Sequence, residues 1–146
     1  MAGVYEERTF EPGGRDPAPG DLRTVQLFIN SRNIEDDLEM FDRPATAARW
    51  LFDKGLTTST HTVRTRADLK RVVTLREALR QMLAANHDGC APPSSAAATL
   101  NGVATEGKLS VAIGSDAGAL VVATAGGLAG ALARIALIVA EASVTG

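Results

Sequence analysis

One long stretch, residues 66–86, constrains the fold of this chain most, because it contains neither glycine nor proline. Good helix formers fill it, and a loop with Gly89 and Pro92 ends it. The pattern predicts one helix about 30 Å long, which can serve as the central element of a small domain. We therefore expect an α+β fold, mostly helical, with about five helices around this helix and a two-stranded β-hairpin against their side.

Two arginines interrupt the apolar face of the long helix. At about 100° per residue, Arg76 and Arg80 fall inside one continuous apolar arc, four positions apart, so their side chains can converge. A guanidinium directed into a core needs an anion or several carbonyl acceptors, because an unpaired buried charge is very costly. The apolar members of the arc are Leu69, Val72, Val73, Leu75, Leu79 and Leu83.

Two kinds of partner are open to these arginines. The first is internal: Asp21, Glu35 or another acid closes a structural salt bridge, or the side chains extend past the core edge to water. This arrangement is the commoner one. The second is a pocket in which Arg76 and Arg80 bind a small carboxylate or phosphate ligand through forked hydrogen bonds.

Asn30 and Arg32 are candidates for the same ligand pocket, since they stand where the first predicted helix stops. The side-chain amide of Asn30 follows an apolar pair and could turn toward the arginines. Asparagine also suits a helix C-terminus simply because it tolerates a left-handed backbone conformation. The candidate ligand-binding residues are therefore Arg76, Arg80, Asn30 and Arg32.

The N-terminal part predicts an arm followed by a helix. Residues 1–20 are dense in proline and glycine, which predicts a loose arm with an extended piece at residues 4–10. One domain is expected over residues 21–146. Its first helix runs from a cap at Asp21 to about residues 30–32. The acidic run that follows is expected to be a solvated connection: Glu35, Asp36, Asp37 and Glu39.

The remaining elements are predicted from caps, breakers and strand formers. A second helix opens at Pro44 with Asp42 as its cap and stops before Gly55. Residues 57–65 are expected to be a loop. The predicted elements after the long helix are a helix at about 95–104, strands at 109–113 and 119–124, and a last helix at about 128–143.

Composition and residue types exclude several functions. The net charge of −2 provides no basic face for nucleic acid. Cys90 is the single cysteine, and neither His61 nor His87 has a partner at metal-ligand spacing, so no metal site is expected. We find no catalytic acid pair, triad or cofactor fingerprint, and we expect no enzymatic activity. Without a signal peptide or a membrane-length apolar run, we expect a cytoplasmic protein that makes no membrane contact.

Two stretches resemble the ABATE domain of bacterial proteins with a CGNR zinc finger. The first is PAPGDLRTVQLFINSR at residues 17–32, and the second is LREALRQML at residues 75–83. The Trp-Leu pair and Gly-Leu step within residues 44–56, followed later by Leu100 and Asn101, match the family's order of elements. The resemblance covers about residues 17–143.

The resemblance implies a regulatory domain of a stress-induced transcription regulator. Its motif positions are Phe28, Asn30, Arg76 and Arg80, with Ser31 where threonine is commoner. In that family a CGNR finger follows directly, so zinc and DNA contact would belong to residues beyond 146 and no cofactor is expected in this segment. Two roles stay open: sensing a small anionic ligand, or acting as a structural homodimerisation module that positions the finger.

Overall fold

The computed structural model describes residues 20–145, so the predicted N-terminal arm lies outside the described residues. Within them, five helices and two small antiparallel sheets form a mostly helical α+β fold, which confirms the predicted class. The elements are α1 (Leu22–Asn30), β1 (Arg32–Asn33), β2 (Leu38–Glu39), α2 (Pro44–Asp53), α3 (Arg66–His87), α4 (Ser94–Glu106), β3 (Leu109–Ile113), β4 (Ala119–Ala123) and α5 (Gly127–Thr145).

Helix α3 begins and ends as its sequence predicts, because its ends are fixed locally. The Thr65 side chain accepts a hydrogen bond from the Asp68 N–H at 3.1 Å, and the Asp68 carboxylate accepts from the Thr65 N–H at 3.2 Å. This reciprocal capping box satisfies N–H groups that a helix leaves unpaired. At the other end, Gly89 takes a positive φ of 68° just after the helix.

The caps of the two preceding helices differ from expectation. Asp21 stands at the start of α1 but makes no capping side-chain hydrogen bond. The N-cap of α2 is Arg43 rather than Asp42, whose carboxylate instead accepts from the Thr46 hydroxyl at 3.0 Å. Gly55, with φ of 71°, follows the end of α2 as predicted.

The core lies between α1, α2, α3 and α5. Its centre is a triad of aromatic rings, Phe28, Phe41 and Trp50, whose centroids are 5.6–5.9 Å apart. Tilted and edge-on contacts of this kind suit the charge distribution of aromatic rings. The apolar residues of α1 are largely buried, as Val25, Phe28 and Ile29 show.

The acidic segment after α1 is only partly the solvated connection that we predicted. Glu35, Asp36 and Asp37 are exposed, but the segment folds into the β1–β2 hairpin, in which Arg32 pairs with Glu39. Within the turn, the Asn33 side chain donates to Asp36 at 3.0 Å and accepts from the Asp36 N–H at 3.2 Å. This local bonding closes the hairpin and turns Glu39 toward α3, so the prediction for Glu39 is wrong.

Two further expectations about exposure are corrected. Leu83 belongs to the predicted apolar arc but is 55% exposed, because it lies at the rim of a groove between α1, α3 and α5. The β3–β4 hairpin does not lie flat against the helices. It packs mainly through its base, and most of its side chains are exposed.

The base of this hairpin is fixed by close backbone contacts with α5. A side-chain carbon at Gly107 would collide with the Ala133 side chain, and one at Gly130 would collide with the Ala125 carbonyl. The Ala125 N–H also donates to the Gly107 carbonyl at 3.1 Å. The hairpin therefore enters and leaves the helical body at a tightly packed junction.

Candidate functional site

Arg76 is the most deeply placed charged side chain of the predicted site. Helix α3 directs it at the inward-turned end of the β1–β2 hairpin, where its side chain is only 2% exposed. Its Nη1 and Nη2 donate to the two carboxylate oxygens of Glu39 at 2.6 and 2.8 Å. This is the forked arrangement in which arginine binds a carboxylate most strongly.

Two further donors of Arg76 also meet internal groups. Nε donates to Glu77 at 2.9 Å, and Nη1 donates a second bond to the buried Ser31 hydroxyl at 3.2 Å. The guanidinium carbon lies 5.6 Å from the centre of the Phe41 ring. Desolvation by itself would lower the pKa of Arg76, but Glu39 and then Glu77 outweigh it and raise the pKa above its usual value.

Arg80 holds the C-terminal end of α1. Its Nη2 donates to the Ile29 carbonyl at 2.8 Å and to the Arg32 carbonyl at 3.1 Å. Carbonyls at a helix C-terminus lack partners within the helix, and they favour a positive charge. The Nε of Arg80 donates to Glu77 at 3.1 Å, so one carboxylate joins both arginines.

The other two predicted site residues lie at the end of α1 and at the start of β1. Asn30 is the half-buried last residue of α1. The Arg32 guanidinium points outward to Asp37, at 2.6 Å, and only its backbone carbonyl reaches Arg80. The structure therefore brings Arg76 and Arg80 together and leaves the Arg32 side chain apart.

Three residues of the cluster were missed at the level of sequence: Ser31, Glu39 and Glu77. Glu77 could have been found, because a position three residues before Arg80 on one helix lies within reach of it. Glu39 could not, because its contact with Arg76 depends on the β1–β2 hairpin and spans 37 positions. Glu39, together with Glu77, is therefore the acid of the same chain that pairs with the arginines, in place of Asp21 or Glu35.

The geometry of the cluster is that of an internal clamp. Two cavities, of about 370 and 580 Å³, lie elsewhere: between α3 and α4, and between α1, α3 and α5. None of the four predicted ligand-binding residues lines either cavity, and their role in binding a ligand stays a prediction.

Within residues 20–145, no group of three or more potential metal-binding side chains comes together. In the same range, no helix has the length and apolar character needed to cross a bilayer.

The second candidate site is the β3–β4 hairpin, an exposed apolar ribbon. Its strands pair from Leu109 with Ala123 to Ile113 with Ala119, and neither strand contains a charged residue. Most of its large apolar side chains face solvent: Val111 is 68% exposed, Ile113 70%, Leu120 62%, Val121 41% and Val122 37%. Both faces of the ribbon contribute, since Val111 and Leu120 point to opposite sides of the strand pair.

The hydrogen-bond pattern of the ribbon leaves one set of backbone groups facing outward. The Thr124 N–H donates to Lys108 at the base, and the Gly114 N–H donates to Gly118 at the tip. Bonded and non-bonded pairs alternate along antiparallel strands, so residues 109, 111 and 113 of β3 direct their N–H and C=O groups away from β4. An apolar, uncharged edge of this kind is a template for another strand.

Comparison with known proteins agrees with the resemblance seen in the sequence. The model of the ABATE family, described as "Putative stress-induced transcription regulator", matches residues 22–146. No curated protein and no solved structure matches the chain.

Proposed function

Since the chain belongs to the ABATE family, we propose that it is the protein-interaction domain of a transcription regulator and joins two copies of that regulator. The exposed apolar β3–β4 hairpin is the observation that carries this proposal. Monomeric proteins seldom expose contiguous apolar patches larger than a few hundred Å², and the largest patch on a protein surface is often an interaction site. In this proposal the domain has no catalytic role, and it works in the cytoplasm.

The size and composition of the ribbon support pairing with the same ribbon of a second copy of the chain. Its large apolar side chains together expose on the order of 500 Å². The strands are uncharged, so two identical ribbons can approach each other without repulsion between like charges. Stable interfaces cover about 800 Å² on each partner, so this ribbon predicts a weak dimer.

The arginine cluster supports an architectural role for α3. Arg76 and Arg80 neutralise Glu39 and Glu77, and together they fix α3 to α1 and to the β1–β2 hairpin. The Arg76 guanidinium is 2% exposed and already donates four hydrogen bonds to internal groups, so it has little left to offer an incoming anion. This favours a structural dimerisation module over a sensor of small carboxylates or phosphates. In the same proposal, zinc and DNA are bound by a C-terminal finger and not by these residues, and pairing sets the spacing of two DNA half-sites.

The oligomeric state of the protein tests the proposal. Sedimentation velocity over a range of concentrations should show a monomer–dimer equilibrium with a dissociation constant of about 10 µM or weaker. Val111→Lys should shift the protein to monomer, since it places a charge in the apolar ribbon.

Ile34→Lys is the matched control for this experiment. Ile34 is 64% exposed and lies in the β1–β2 turn, so the same charge is introduced on an exposed apolar residue away from the ribbon. This variant should dimerise like the wild type. A wild-type protein that stays monomeric at every concentration would overturn the proposal, and so would equal loss of the dimer in both variants.

A further inference from the structure

We propose that the two copies join edge to edge through β3, antiparallel and centred on Val111, to form one four-stranded sheet. This inference rests on the proposed function and specifies the geometry of the pairing. The order of strands would be β4, β3, then β3 and β4 of the second copy. Val111 would face its own counterpart, and Ile113 of each copy would face Leu109 of the other.

The outward-facing backbone groups restrict the register to pairings in which outward residues face each other, and only the pairing centred on Val111 joins all three of them. Residues 109, 111 and 113 direct their N–H and C=O groups away from β4, as the bonds at Lys108–Thr124 and Gly114–Gly118 require. When two such edges meet antiparallel about Val111, each outward residue faces another outward residue. Every N–H on the shared edge then finds a carbonyl acceptor, which a shift by one residue would prevent.

The surroundings of the two strands favour β3 over β4 as the joining edge. Strand β4 packs against α5 as well as against β3, whereas the substantial contacts of β3 are with β4. A strand that approaches β4 therefore has to pass α5. The outer edge of β3 is the more accessible of the two.

Side chains and charges agree with pairing between identical copies. Leu109, Val111 and Ile113 all point to one face of the ribbon, so the joined edges form three adjacent apolar pairs. Beyond the paired residues, the antiparallel arrangement brings the base of one strand to the tip of the other. The exposed Lys108 of each copy then lies at the same end as the exposed Asp116 of the other, which places opposite charges together.

Chemical crosslinking of introduced thiols tests the register. In a Cys90→Ser background, which removes the exposed native thiol, Val111→Cys places two thiols on directly opposed residues. Their Cα atoms would be about 5.5 Å apart. We expect a short bismaleimide to give a covalent dimer rapidly at concentrations where the protein self-associates.

Val121→Cys in the same background is the matched control. Val121 lies beside Val111 on the same face but in the outer strand of the proposed sheet. Three strand spacings, about 14 Å, would separate the two copies of this residue. Crosslinking at this position should therefore be at least tenfold slower.

Hydrogen exchange gives a second readout that needs no substitution. The amides of residues 109, 111 and 113 should exchange quickly in dilute protein and become protected as the concentration rises. The amides of Ser110 and Ala112 already lie in hydrogen-bonded pairs with β4, so their protection should change much less.

The outcomes separate this inference from the proposed function. Fast crosslinking at Val111, slow crosslinking at Val121 and protection of the outward amides support edge pairing. A dimer that lacks these signs, or that protects the β4 edge, overturns edge pairing and leaves the proposed function standing. A protein that is monomeric throughout overturns both.

Discussion

Glu39→Gln should destabilise the protein more than its half-exposed position indicates, because it removes the main counter-charge of a buried guanidinium. Breaking a fully buried ion pair by removing one partner costs about 3–5 kcal/mol. Glu39 is 30% exposed and Glu77 still contacts Arg76, so we expect about 2–3 kcal/mol. Glutamine keeps the shape of the side chain and can still accept from the Phe41 N–H, but it cannot accept from both Arg76 nitrogens, so the loss reports the charge-assisted pair and not packing.

Arg76→Met tests whether removing the buried guanidinium costs less free energy of unfolding than removing the negative charge of Glu39. The substitution leaves Glu39 unpaired, but that carboxylate can rehydrate, whereas a guanidinium that is 2% exposed cannot. Methionine also fills much of the vacated volume with apolar atoms. We therefore expect Arg76→Met to cost about 1–2 kcal/mol, less than Glu39→Gln.

Urea unfolding followed by the fluorescence of Trp50, which is buried in the aromatic core, measures both effects. The Glu39→Gln loss corresponds to a decrease of about 10 °C in Tm for a chain of this size. Asp37→Asn is the control, because it breaks the exposed pair with Arg32 and should cost under about 1 kcal/mol. The reasoning is refuted if Glu39→Gln is as mild as this control, or if Arg76→Met is the more damaging change.

Two further predictions concern the helix ends and junctions. Gly107→Ala should destabilise by about 1–3 kcal/mol, since the new methyl group meets the Ala133 side chain, while Gly102→Ala on the open face of α4 should stabilise by about 0.5–1 kcal/mol. Equal effects in thermal unfolding would contradict the close contact. Hydrogen bonds from the Arg64 N–H and from the Thr65 capping box lower the pKa of Asp68. The ionised Asp68 carboxylate therefore stabilises the folded protein fully above the ordinary carboxyl pKa, and this stabilisation is lost as the pH falls through the lowered pKa. Asp68→Asn should therefore destabilise the protein at pH 7, and the difference in stability should shrink as the pH falls through the lowered pKa; a difference that stays the same would refute this.

Sequence reasoning succeeded where the determining interactions are local. The ends of α3 follow from Thr65, Asp68 and Gly89, all close along the chain. The place of Arg76 within an apolar arc followed from helical periodicity, because Val72, Val73 and Leu79 lie one turn away, but its burial was only one of the arrangements left open. Its partner Glu39 did not follow, since an acid in an acidic run is normally solvated and only the small β1–β2 hairpin turns it inward.

The β3–β4 hairpin shows a different limit. Its strands and turn were predicted at nearly their observed positions, because strand formers flank a glycine-rich loop. Its exposure was not, since uncharged strands such as Leu109–Ile113 are typical of a sheet covered by other elements. Sequence patterns give the kind of surface a strand presents. They do not say whether the same chain or another copy covers it.

Helix α5 connects the hairpin junction to the far side of the domain. It begins at Gly127, separated from the end of β4 by three residues, and continues without interruption for 19 residues, or about 28 Å. The close contact between Gly130 and the Ala125 carbonyl fixes its first turn to the short segment that connects it to β4. In a dimer joined through β3, each α5 helix would be fixed to the paired strands at its first turn. The distance and the relative rotation between the far ends of the two α5 helices would then be fixed as well. Lengthening α5 by two residues would rotate each far end by about 200° and advance it by about 3 Å, leaving the paired ribbons unchanged.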